Sequence, residues 1–171
     1  NHFGVSYEQV LLSAHRLKLE TYYQQLYNAP VQSDPASMYT SINEDTGFVT
    51  DSLINNGNGT NYGVEASFER SFSNDLYYLV NGSLFQSTFA IHGQPEKNTS
   101  YNANYSFHFL AGKEFSVGND QKRFGANLKI SVAGGRRYIP IDLEKSVIEK
   151  RQVYQWDAAF EKQLPGYFRT D

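Results

Sequence analysis

Few residues in this chain are placed to do chemistry. The four histidines are His2, His15, His92 and His108. A bound metal needs ligands at spacings such as H-x-x-x-H, or a carboxylate at a matching offset, and no pair here has either. The chain has no cysteine, so disulfides and thiolate chemistry are excluded. Glu20, Glu65, Glu69 and Lys129 are candidates for acid–base work by paired groups. Each lies on the polar parity of an alternating segment, where cross-strand ion pairs account for it. Gly57-Asn58-Gly59 and Gly134-Gly135 neither match a phosphate-binding loop nor precede a helix, and are expected to be a loop tip and a strand end. The most suggestive cluster is Arg136-Arg137-Tyr138. Two guanidiniums beside a phenol can grip an anionic or sugar-like ligand. The same residues can equally anchor a loop to backbone carbonyls or to acidic lipid. His108 is the other candidate for ligand contact. No catalytic residue, metal ligand or cofactor site is assigned, and no enzymatic activity is expected. Four Asn-x-Ser/Thr triplets (Asn58, Asn81, Asn98, Asn104) are expected by chance in an Asn-rich chain.

The elements that would carry these residues are strands. Phe124, Ala126, Leu128, Ile130 and Val132 share one parity, with Gly125, Asn127, Lys129 and Ser131 on the other. Successive strand side chains point to opposite faces, so this segment has one greasy side and one wet side. Five further segments alternate in the same way. The six strands are placed at about 2–10, 16–27, 61–72, 76–90, 103–115 and 124–134. Asn28-Ala29-Pro30 is expected to stop the second, since proline cannot donate to a ladder. Connections run short and long in alternation, with tight turns near Leu11–His15, Ser73-Asn74-Asp75 and Gly118-Asn119-Asp120. Long loops are expected over 28–60, 91–102 and 136–171. The first contains Asp34-Pro35, Glu44-Asp45 and Asn55-Asn56-Gly57-Asn58-Gly59.

Length and composition narrow the class. The chain has 171 residues and could bury one core. A net charge of -3 gives no support for nucleic-acid binding. No run approaches the roughly 18 apolar residues of a membrane helix, but a membrane strand needs only alternate apolar residues. Segments of this length match the roughly 9–11 residues that cross the hydrocarbon layer, and exceed the 5–6 of ordinary strands. Aromatic residues make up 15%. They gather at the segment ends: Phe72, Tyr77, Tyr78, Phe115 and Phe124 near short turns; Tyr22, Tyr23, Tyr27, Phe85, Phe89 and Tyr105 near long loops. That distribution suits two interfacial girdles. Arg70 and Lys113 fall on the apolar parity, beside short turns, where long cations can reach headgroups. The expected fold is all-β: an antiparallel up-and-down meander of about six long strands, part of a transmembrane β-barrel.

Several stretches resemble TonB-dependent outer-membrane receptors. They are Asn61-Tyr62-Gly63-Val64-Glu65 with Phe68-Glu69-Arg70, Asn81-Gly82-Ser83-Leu84-Phe85, Ala133 to Leu143, Gln163 to Arg169, and Tyr22-Tyr23-Gln24 before a loop. The nearest resemblance is to receptors with a carboxypeptidase-regulatory-like domain ahead of the plug. The resemblance implies a 22-stranded barrel in the outer membrane of a Gram-negative bacterium. It would import a scarce solute (a metal chelate, vitamin or glycan) past a plug driven by an inner-membrane TonB-type protein. This chain is expected to be a fragment of the C-terminal half of such a barrel, without plug or energy-coupling box. Its implied partners are outer-membrane lipid, the remainder of the barrel and plug, and the energy-coupling protein; no nucleic acid is expected.

Two other classes compete. A soluble lipocalin-like carrier of a small hydrophobic ligand fits the length and aromatic content. It lacks the early Gly-x-Trp signature and would have to carry a loop of about 33 residues. A β-architecture glycan hydrolase would need a catalytic pair, and none is nominated.

Overall fold

A computed structural model describes residues 1–11, 14–35, 37–43, 52–118 and 122–171. The expected Glu44-Asp45 loop pair, Leu12-Ser13 and the turn residues Asn119-Asp120 lie outside the described residues. The fold is all-β with one short helix. The elements are β1 (His2–Leu11), β2 (His15–Gln32), β3 (Leu53–Ser73), β4 (Leu76–Ile91), β5 (Lys97–Asn98), β6 (Tyr105–Val117), β7 (Lys122–Ala133), β8 (Arg137–Tyr138), α1 (Leu143–Glu149), β9 (Lys162–Gln163) and β10 (Tyr167–Thr170).

The main sheet has the order β1-β2-β3-β4-β6-β7-β10, with β5 on the side of β4. All its pairings are antiparallel. The short turns fall at one end of the long strands and the long connections at the other. The β3–β4 turn shows why one end can be so tight. Asn74 and Asp75 both take positive φ, 51° and 61°, the handedness that matches strand twist in a two-residue hairpin and that Asn and Asp tolerate.

The register sorts side chains into two faces. One face carries Val5, Tyr7, Leu19, Val64, Leu84, Phe107, Leu128 and Ile130 in aligned rows. The opposite face carries Lys18, Glu20, Glu65, Asn81, Ser83, His108, Asn127 and Ser131. The apolar face is not covered: Val5 and Leu84 keep 71% and 63% of their surface. Soluble monomers seldom leave so extended an apolar surface in water.

The buried core lies elsewhere, at the long-connection end. Val31, Met38, Phe89, Ile91, Ala159 and Phe160 form it, with Ile42 and Ile139 packed alongside. The long connections therefore fold together as one cap. Phe89 has the parity of the polar face, so the cap lies over that side of the sheet.

Several expectations need correction. β2 does not stop at Tyr27 but continues through Pro30 to Gln32. A register shift between Leu26 and Ala29, with Asn28 at φ 56°, makes a bulge there, and bulges tolerate proline. Gly57-Asn58-Gly59 is strand, not loop tip: β3 starts at Leu53. A Cβ on Gly57 would lie 2.7 Å from Val31 Cγ1, so glycine lets the cap approach. The stretch 136–171 is not simply irregular. It holds β8, β9 and helix α1, and β10 adds a seventh strand to the run of chain-neighbour strands. Asp142 caps α1, its Oδ1 accepting from Lys145 N–H at 3.0 Å, and this backbone bond holds its carboxyl below the ordinary range. The aromatic bands are also more selective than expected. Tyr22, Tyr77, Phe85 and Phe89 belong to the polar face, and Phe89 is buried in the cap.

Candidate functional site

Two surfaces are built from converging side chains: the polar face and the cap above it. On the polar face, Arg16 pairs with Glu69 at 2.8 Å and Glu8 at 3.4 Å. Lys18 pairs with Glu20 at 2.7 Å. Arg123 bridges Asp75 at 3.0 Å and Glu114 at 2.9 Å. These pairs are well exposed and each contributes little to stability. They do keep this face charged and wet. Glu20 stands directly across from Glu65, and Lys18 offsets one of these two carboxylates. Among the described residues no cluster of His, Asp and Glu has the arrangement of a metal site.

His108 lies on this face between Asn81 and Ser131. Its Nδ1 is 3.2 Å from Ser131 Oγ, and the ring remains exposed. Tyr77 crosses the face over Gly112 and donates to Asn127 Oδ1 at 2.7 Å. A Cβ on Gly112 would sit 2.2 Å from that oxygen and 2.4 Å from the Tyr77 ring. Gly112→Ala should therefore break the contact and destabilise the protein by about 1–3 kcal/mol, as overpacking does. Equilibrium unfolding checks this, and Gly125→Ala, where a Cβ meets open space, is the matched control.

The Arg136-Arg137-Tyr138 cluster does not converge on one point. Arg137 turns into the cap. Its Nε donates to Asn102 O at 3.0 Å, Nη2 to Asn104 Oδ1 at 2.9 Å, and Nη1 to Glu161 O at 3.1 Å and Phe160 O at 3.4 Å. Arg136 stacks 4.6 Å over the ring of Tyr101. Tyr138 pairs through its backbone with Lys162. Of the two sequence-level alternatives for this cluster, the contacts of Arg137 are those of an anchor. Arg136 and Tyr138 remain exposed at the outer surface of the cap.

Beneath Arg137 runs a polar network that the sequence did not announce. Asn61 donates to Gln24 Oε1 at 2.9 Å and accepts from Ser87 Oγ at 2.6 Å. Thr99 Oγ1 donates to Ser87 Oγ at 2.8 Å. Asn102 bonds Asn98 at 2.7 Å, and Gln86 bonds both Asn98 and Asn104. The only signal in the sequence was the cluster Asn98, Asn102, Asn104. Asn98 and Asn104 each open an Asn-x-Ser/Thr triplet, and their side chains are tied into the network.

The apolar face offers a shallow open hollow of about 770 Å3, lined by Val5, Tyr7, Leu19, Val64, Leu84 and Phe107 among others. Its exposed lining is mostly apolar, which suits an apolar occupant. Comparison with protein-family models, curated proteins and solved structures found no match.

Proposed function

We propose that this chain forms part of the wall and outer loops of a TonB-dependent receptor barrel in the outer membrane of a Gram-negative bacterium. One observation carries this reading: aligned rows across seven strands give one face that is apolar and uncovered and another that is charged and hydrogen-bonded. Lipid satisfies the first and a water-filled lumen the second. The long connections would face outside, gathered as a cap over the lumen side. The resemblance noted above supplies the rest of the proposal: a scarce solute as cargo, and the barrel remainder, plug and energy-coupling protein as partners. Arg136, Tyr138 and His108 would be the residues that meet cargo, with Arg137 holding the cap that presents the first two. No catalytic role is proposed.

Leu128 and Asn127 test it, because they are sequence neighbours on opposite faces. In bilayers, within the full-length protein that carries this chain, a spin label at Leu128 should be accessible to oxygen dissolved in lipid. One at Asn127 should be accessible to a water-soluble relaxant. Equal access to the aqueous reagent at both positions overturns the proposal.

The apolar hollow favours a second reading, a soluble carrier of a hydrophobic ligand. That requires β1 and β10 to pair and enclose the hollow, whereas the described sheet is open and they do not pair with each other. A carrier would purify as a monomer without detergent and shield Leu128 from membrane reagents.

A further inference from the structure

Charge is distributed unevenly between the two faces. Every Asp or Glu within the described strands of the main sheet has polar-face parity: Glu8, Glu20, Glu65, Glu69 and Glu114. Tyrosines aside, the apolar face of the described strands also carries ionisable side chains, but these are basic and lie at the short-turn end. They are His15, Arg70, Lys113 and Lys122. His15 is the cross-strand partner of Arg70. Lys113 lies two strands away from Arg70, and Lys122 is on the strand after that.

The two sets of cations also differ in their partners. Arg16, Lys18 and Arg123 on the polar face are paired with carboxylates. Among the described residues Arg70 Nη2 donates to Ser73 O at 3.1 Å, and its buried Nε finds no partner. His15 Nδ1 is likewise buried without a partner, in a ring cluster with Phe68 and Tyr78 at 5.9 and 6.0 Å. Lys113 Nζ lies 5.2 Å over the ring of Phe115. Arg70 Nε and His15 Nδ1 are enclosed and out of reach of any outside group. What Arg70, Lys113 and Lys122 share is the lack of a carboxylate partner among the described residues, in contrast to the cations of the polar face. Cations so placed at an apolar surface attract an anion from outside the chain. Aromatic rings beside it are what the boundary between acyl chains and headgroups favours.

We infer that this rim binds the phosphate headgroups of anionic phospholipid in the leaflet at the short-turn end. The inference rests on the membrane-wall reading and adds a ligand class to it. The rows of the apolar face fix where the acyl chains lie. Arg70 and Tyr62 are about 27 Å apart along β3 at about 3.4 Å per residue, or about 20 Å once a strand tilt near 40° is allowed for. That is close to one apolar band. Headgroups of the short-turn leaflet therefore reach Arg70, and those of the other leaflet reach Tyr62, where the face has no cation.

The test places a fluorescent label at Ala126, the partner of Lys113, or at Tyr62, in the full-length protein in bilayers. Quenching by brominated phosphatidylglycerol is compared with quenching by brominated phosphatidylcholine. At Ala126 the anionic lipid should be preferred by about 5-fold, the scale of one surface cation's attraction to an anionic leaflet. At Tyr62 the two lipids should quench alike. Combining Arg70→Gln, Lys113→Gln and Lys122→Gln should bring Ala126 to parity. Raised salt should do so in the unaltered protein, which keeps the test valid if the variant does not fold. Parity at Ala126 in the unaltered protein, or a preference that survives the triple replacement, overturns the inference. If inorganic phosphate at matched ionic strength abolishes the preference, the ligand is a soluble anion and the lipid assignment falls. If neither lipid quenches either label, the membrane wall itself is refuted.

Discussion

Arg137→Met should open the cap without melting the sheet. The side chain reaches three backbone carbonyls and one amide oxygen across the 102–104 and 160–161 segments. Bonds from a charged donor are each worth about 1.5–3 kcal/mol, and removing the donor strands its acceptors. A loss of about 3 kcal/mol in local stability is expected. The amides of Phe160 and Leu164, bonded to Tyr138 O and Arg136 O, should then exchange hydrogen about 100-fold faster. Amides in the middle of β3 should be unaffected. Arg137→Lys should rescue little, because an ammonium cannot span the same fork. Unchanged exchange at Phe160 would show that the cap is held by packing alone.

Phe89→Ala attacks the same cap from its apolar side. Phe89 is 1% exposed and meets Phe160 edge-on at 5.9 Å. Truncating a buried Phe costs about 3–5 kcal/mol through lost transfer energy and the cavity left behind. The expected result is cleavage within the cap by protease at concentrations that leave the unaltered protein intact. The double variant with Arg137→Met should be less destabilised than the sum of the two, because both act through Phe160. Full additivity would mean that the ring core and the guanidinium stabilise separate units.

How much of this was legible follows from what each feature depends on. The six long strands were visible because alternation is a local property, and Phe124 to Val132 displays it without help from other segments. The tight turn at Asn74-Asp75 was visible for the same reason. β10 was not, since four residues alternate too briefly to be told from chance. Helix α1 has seven residues, too short for its period to register, and Leu143, Val147 and Ile148 are exposed on it rather than facing a core. The cap core could not be foreseen. Val31 and Met38 lie far in sequence from Phe89 and from Phe160, and the four follow no common period. Pro30 misled because a proline in isolation signals a strand end, and only the neighbouring bulge at Asn28 makes it tolerable. For the candidate site, Arg136-Arg137-Tyr138 stood out by composition, but the division of labour among its members depends on carbonyls supplied by distant loops.

The sheet order carries a consequence for biogenesis. Each long strand lies beside its predecessor in the chain, so the chain can grow the sheet one hairpin at a time. No strand has to be inserted between two that are already paired, so the sheet can extend from one edge in the order of the chain.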